Sequence, residues 1–322
     1  MPLNLEGLPF LKAHQLEVES PGRRWLIESL WARRAVGLLG GPPKSCKSWL
    51  GLDMALSVAS DTPCRGRFPV REPGAALVYL AEDHLAAVRS RIESLCRHRG
   101  LRICKLDLCV ITASVLRLDL ERDQRRLDVT LSDLRPRLLV LDPLVRLHRL
   151  DENSAGDLAR LLGFLRHMQR RHQTAIVLVH HAGKKQRLSA GQNLRGSSDL
   201  HAFGDSNLYL SRRQQGLTLT LEHRAAPDLE PLQVELVCHP HSADAHLQVC
   251  SSPPGSDSKP LTERAWKVLQ TSERPLTCTA LRSLLRVNNQ RLGTALDHLQ
   301  LQGRIFRTPK GWLAENAPQR RP

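Results

Sequence analysis

The run from Gly40 to Ser48 reads Gly-Gly-Pro-Pro-Lys-Ser-Cys-Lys-Ser. Counted from Gly41 it is G-x-x-x-x-C-K-S, one residue away from the G-x-x-x-x-G-K-[ST] pattern whose backbone amides cradle phosphate oxygens. In that chemistry Gly41, Pro42, Pro43, Lys44, Ser45, Cys46, Lys47, Ser48 and Trp49 wrap a triphosphate at a helix start, where unpaired N–H groups favour anions. Lys47 then reaches the β- and γ-phosphates, and the Ser48 hydroxyl ligates Mg2+. The expected cofactors are ATP and Mg2+. Cys46 is the departure: a Cβ there crowds the phosphate or resists the backbone angles that glycine allows. Because cysteine is small, the substitution predicts weakened binding rather than none. The plainer alternative is a Gly/Pro turn with a surface lysine.

Three further segments end in side chains such a site would use. Arg137-Leu-Leu-Val-Leu-Asp142 is apolar and closes on a carboxylate, as a second Mg2+ partner requires; an Asp before Pro143 is also a common turn device. Leu77-Val-Tyr-Leu-Ala-Glu82 offers Glu82 to polarise an attacking water. Its neighbour Asp83 reads as a helix N-cap, and Glu82 itself could be a first-turn acid. Ile176-Val-Leu-Val-His-His181 places His180 and His181 at a strand end. There one of them senses a γ-phosphate, or both are held by backbone at the sheet rim. The basic Gly/Ser loop 184–198 carries Arg195, a candidate arginine finger; a solvated charge run is the bland reading.

Short apolar runs supply the frame that positions these residues. Runs at 35–39, 75–80, 108–112, 137–141 and 174–179 alternate with helical patterns, which argues for a mainly parallel sheet covered on both faces. Later runs at 207–210, 217–221, 232–237 and 245–249 lack intervening helices and predict antiparallel strands extending that sheet.

The ordered set resembles a known family. Trp25-Leu-Ile-Glu-Ser-Leu, the 38–55 run, Tyr79-Leu-Ala-Glu-Asp, Leu139-Val-Leu-Asp-Pro, Val179-His-His-Ala-Gly-Lys and Arg195-Gly-Ser-Ser-Asp-Leu look like the RecA-like AAA ATPases of the RepA type, the hexameric plasmid replicative helicases and their relatives. The resemblance spans about residues 22–225. It implies Lys47 and Ser48 on phosphate and metal, Glu82 as catalytic base and Asp142 as the acid of the magnesium site. It also implies His180 or His181 as sensor and a basic residue near Arg195 acting across a subunit interface. A homo-oligomer follows, a hexamer in those helicases. Cys46 stands where the family has glycine.

The Pro/Gly/Ser stretch 251–260 is a linker. Beyond it, residues 259–322 hold 12 Lys/Arg against 4 Asp/Glu, over half of the chain's net charge of +15. Helices are expected at 261–269, within 275–285 and at 290–301, then a hairpin over 304–313. That order resembles a winged helix-turn-helix. Asn289, Gln290, Arg291 and Thr294 suit base edges, while Arg286, Arg307 and Lys310 suit phosphates; a protein-contact wing is the alternative. DNA is the expected partner. The expected architecture is an α/β chain: a lead segment (1–33), a RecA-like ATPase domain (34–250), the linker (251–260) and a small winged-helix domain (261–316).

With 41% hydrophobic residues among 322, a sizeable core is affordable and general disorder is excluded. No run approaches the roughly 18 apolar residues needed to span a bilayer, and the first residues lack signal-peptide patterning. Eight cysteines show no C-x-x-C pair. The chain is expected to be cytoplasmic. Together these features describe an ATP-hydrolysing protein of the helicase or DNA-remodelling kind. The alternative is a catalytically weak ATP-binding regulator of replication.

Overall fold

The computed structural model describes residues 10–16, 24–150, 155–181, 198–213, 216–226, 229–238, 244–250, 261–272, 274–285, 287, 289–309 and 311–315. The chain divides into two compact units, Met1–Cys250 and Ser251–Pro322.

The first unit is built on a nine-stranded sheet. A hairpin of β1 (Trp25–Ile27) and β2 (Trp31–Ala32) precedes it, and Leu26, Ile27, Leu30 and Trp31 are fully buried against its core. Residues 25–33 of the expected lead segment are therefore part of this unit. Strand β3 (Val36–Gly41) leads to helix α1 (Lys47–Ser60), β4 (Ala76–Leu80) to α2 (Leu85–Arg99), and β5 (Leu108–Val110) to α3 (Glu121–Leu134). Strand β6 (Leu138–Asp142) then precedes α4 (Ala155–His172), and β7 (Ala175–His181) and the short α5 (Ser198–Phe203) follow. Strands β8 (Ser206–Arg213), β9 (Gly216–His223), β10 (Leu232–Cys238) and β11 (Ala245–Val249) complete the order β11-β10-β9-β8-β3-β7-β6-β4-β5.

Both faces of the central strands are apolar because both are covered, so their sequences run nearly unbroken in Leu, Val and Ile. Alternation sends Leu138 and Val140 of β6 toward α1 and α2, and Leu139 and Leu141 toward α3 and α4. In β7, Val177 and Val179 take the first face, Ile176 and Leu178 the second. The mainly parallel α/β sheet expected from the sequence is what the chain forms.

One strand differs from the sequence reading. β8 was expected to extend the sheet antiparallel; it is antiparallel to β9 but lies parallel to β3, pairing Leu39 with Leu208 and Gly40 with Tyr209. α5 intervenes before it, so β8 enters in the parallel sense and the sheet reverses one strand later. A Cβ on Gly37 would lie 1.8 Å from the Ser206 carbonyl oxygen, so this approach requires glycine there.

The second unit has α6 (Leu261–Thr271), α7 (Cys278–Leu285), α8 (Asn289–Leu301) and the hairpin of β12 (Ile305–Thr308) and β13 (Gly311–Ala314). Leu276 exchanges two backbone hydrogen bonds with Trp312, adding a third short edge. Leu269, Leu281, Leu292, Leu296, Leu299 and Trp312 fill its core.

Candidate functional site

The parallel strands end together at one edge, and the chemistry predicted from sequence gathers there. β3 sits between β7 and β8, so the loop leaving it rises from the middle of the sheet. Gly41 fits tightly: a Cβ would lie 2.5 Å from the Leu210 carbonyl oxygen and 2.8 Å from Ser45 Oγ. Lys44 and Cys46 both have left-handed backbone, with φ of 59° and 64°. Cys46 is the residue before α1 and makes no side-chain cap. The first amides of α1 are therefore left to face an anion. Its thiol packs against the apolar cluster beside α1 rather than standing free in the loop, and burial pushes its pKa up. Of the two costs expected at Cys46, the structure shows the backbone one, of order 1–2 kcal/mol for a non-glycine residue in this region.

Lys47 is 5% exposed, and its Nζ donates to the carbonyls of Gly41 (3.0 Å) and Pro42 (2.8 Å). Burial lowers the pKa of its ammonium; the charges of Asp142, Cys46 and Glu82 oppose that shift. Arg212, on β8, reaches the Lys44 carbonyl from the side at 3.4 Å. Ser45 is buried, and its hydroxyl has no partner among the described residues.

Asp142 closes β6 at 7% exposed, with the Ser48 hydroxyl near enough to favour its ionised form. Burial pushes its carboxyl up to about 6; Ser48 and Lys47 restrain the shift, while Asp83 and Glu82 add to it. Ser48 and Asp142 thus present hard oxygen donors side by side, the donor chemistry that suits Mg2+.

Register places Glu82 beside them. Leu80 pairs with Asp142, and the Ala81 amide donates to the Asp142 carbonyl at 2.7 Å. Glu82 follows at once, exposed, with Oε1 2.8 Å from Nε of Arg146. Asp83 is not the helix cap expected from sequence: His84 holds that position, and Asp83 instead accepts from Arg91 at 2.9 Å. The Arg91 guanidinium lies 5.7 Å from the Trp49 ring, tying α2 to the start of α1. On the other flank, β7 puts His180 level with Gly40 and His181 level with Gly41. His180 is buried and His181 half-buried.

Arg195, Arg286 and Lys310 lie outside the described residues. Asn289, Gln290 and Arg291 open α8, with Thr294 exposed in its second turn. Arg307 is exposed on β12, its guanidinium 5.9 Å from the Trp312 ring. Trp312 is core, and Trp266 lies half-buried under Arg304 at 4.0 Å.

Sequence reasoning missed Arg146 and Arg212. Arg146 follows Asp142 by four residues, but only the β4–β6 register brings it to Glu82. The parallel entry of β8 likewise gives Arg212 its place. Among the described residues, no cluster of three or more His, Cys, Asp or Glu could hold a metal ion, and no helix is long and apolar enough to cross a membrane.

No curated protein matches the chain. Among solved structures it is similar to the RadB recombinase (18% identity, TM-score 0.47, covering 62% of this chain and 87% of that one). It is also similar to the ATPase domain of G40P (13% identity, TM-score 0.48, covering 63% and 82%). A family model described as an AAA domain matches residues 2–187, from the first residues through the loop, Glu82, Asp142 and both histidines. The chain belongs to the AAA domain family.

Proposed function

We propose that the chain is a RecA-like ATPase of the RepA type that acts on DNA as a helicase or remodelling motor. One observation carries the reading: Lys47, Ser48, Asp142 and Glu82 converge at the carboxyl ends of neighbouring parallel strands, with the Ser48 hydroxyl beside the Asp142 carboxylate. The loop amides and the α1 N-terminus take the phosphates of ATP, and Lys47 turns from two carbonyls to the β- and γ-phosphate oxygens. Ser48 and Asp142 hold Mg2+, which when bound neutralises charge across the two terminal phosphates. Glu82 orients and deprotonates the attacking water. His180 or His181, level with the loop's first residues, reports the γ-phosphate to the neighbouring strand. Arg195 serves as the finger across an interface in a homo-oligomer, a hexamer as in the plasmid helicases.

The C-terminal unit is a winged helix-turn-helix that reads DNA. Three helices followed by a hairpin support it, with Asn289, Gln290, Arg291 and Thr294 in the first turns of α8. Arg286, Arg307 and Lys310 contact phosphates. The surplus of basic residues after 258 gives it a polyanionic partner.

The left-handed Cys46 favours a second reading. In it the chain binds ATP with little turnover and works as a replication-initiation or regulatory protein. Steady-state ATP hydrolysis with and without DNA tests the motor. Turnover stimulated by DNA and lowered at least about a hundredfold in Lys47→Ala supports it; ATP binding without turnover under any nucleic acid leaves the second reading.

A further inference from the structure

Arg146 occupies the last position of the single 3-10 turn Leu144–Arg146 that follows Asp142. Leu144 and Leu147 on either side are fully buried, so the turn is pinned and the arginine is held at the sheet's edge. There its Nε donates to Glu82 Oε1 at 2.8 Å, with side-chain exposures of 62% and 45%. Backbone pairing sets this meeting: Leu80 opposite Asp142 makes the two segments leave the sheet side by side.

The pair has a chemical consequence for a general base. A carboxylate that takes a proton from water needs a lone pair directed at that water and a charge not already neutralised. In the ion pair, one oxygen accepts from the guanidinium, so that lone pair is not directed at a water. Glu82 is a poorer base while it is so engaged. The pair is nonetheless exposed, and exposed pairs are weak enough to exchange. Guanidinium groups bind phosphate oxygens through the same two-pronged hydrogen bonding that they use on carboxylates.

We propose that Arg146 is a positioning residue that gates Glu82: paired, it withholds the carboxylate, and a nucleic-acid backbone phosphate that draws it away frees the base. The proposal rests on the reading of Glu82 as the base, and it supplies a physical link between DNA binding and hydrolysis. Arg149, three residues on, is a second exposed cation.

The test is ATP turnover by the full chain and its Arg146→Ala, Arg146→Lys and Glu82→Gln variants, with and without a thymidine oligonucleotide. Arg146→Ala is expected to raise the DNA-free kcat about tenfold with KM for ATP unchanged, and to shrink DNA stimulation to less than about twofold. Arg146→Lys keeps the charge without the fork and should fall between the two. Matching melting temperatures confirm that the exposed substitutions leave the fold alone. If Glu82→Gln abolishes turnover while Arg146→Ala behaves as the parent does, or is slower without DNA, the gate is overturned and the base stands. Turnover that survives Glu82→Gln overturns both, as does a parent protein that hydrolyses nothing in either condition.

Discussion

The two units of the chain handle charge in opposite ways. In the first, Lys47, Asp53, Asp123, Asp142 and His180 are all buried, three of them in the candidate site. In the second, every buried side chain among the described residues is apolar, from Ala265 to Ala314, and the charges lie outside. Burying a charge is expensive unless it is paired, and the first unit meets this partly with local networks. Asp53, for example, accepts from Arg99 and from the Cys64 thiol. Asp142 is met less completely, and its raised pKa records the deficit. Under the proposed function the contrast separates two kinds of work. Chemistry on a phosphate gains from desolvated groups held at fixed distances, whereas recognition of a polyanion needs cations that remain in water until they meet it.

The largest test of that contrast is Asp142→Asn. A carboxyl whose folded pKa is raised from 3.8 to about 6 stabilises the fold fully below pH 3.8 and loses that contribution as pH rises through 6. Ionised Asp142 therefore destabilises the fold at neutral pH, by an amount of order 2–3 kcal/mol. Asparagine keeps an oxygen for Ser48 and carries no charge. The variant should melt a few degrees higher at pH 7.5 without nucleotide, with the advantage fading below pH 4. Its Mg2+-dependent turnover should drop at least about a hundredfold. A variant that melts lower at pH 7.5 would break the claim that the site is held together at the expense of stability.

Arg307→Ala probes the other unit. The side chain is exposed, so its removal should leave the melting temperature and DNA-free turnover unchanged. DNA affinity should weaken about threefold to tenfold, and the slope of log affinity against log salt should fall by about one. An unchanged salt slope would remove this surface from the phosphate interface and leave the basic surplus unexplained.

Much of this was legible in the sequence because the signals are local. β3, β4, β6 and β7 are covered on both faces, so each appears as an apolar run. The residues that end two of them, Gly41 and Asp142, and the one just past a third, Glu82, stand out as polar or flexible interruptions. The α8 stripe of Leu292, Leu296 and Leu299 was legible for the same reason. What stayed hidden depends on register. Asp83 has the right type and place for a cap, yet Arg91, eight residues on, claims it. Arg146 and Glu82 are 64 residues apart, and only strand pairing makes them neighbours. The parallel sense of β8 was hidden because the short α5 before it carries too weak a periodic signal to announce a crossover.

Cys46→Gly should have only a small effect on stability and the most to say about function. Three terms meet at this position. Relief of the left-handed backbone returns about 1–2 kcal/mol. The thiol's packing against the apolar cluster is lost, and glycine adds roughly 0.5–1 kcal/mol of unfolded-chain entropy. These oppose the relief and nearly cancel it, so the change should stay within about 1 kcal/mol of zero. Activity is not bound by the same cancellation. If the loop already reaches its working geometry with cysteine, kcat for ATP should move by less than about threefold. A gain of tenfold or more at unchanged stability would mean that the thiol holds the loop away from its catalytic shape. The site would then be tuned for binding nucleotide rather than spending it, and the division of labour between the two units would be one of switch and reader rather than motor and reader.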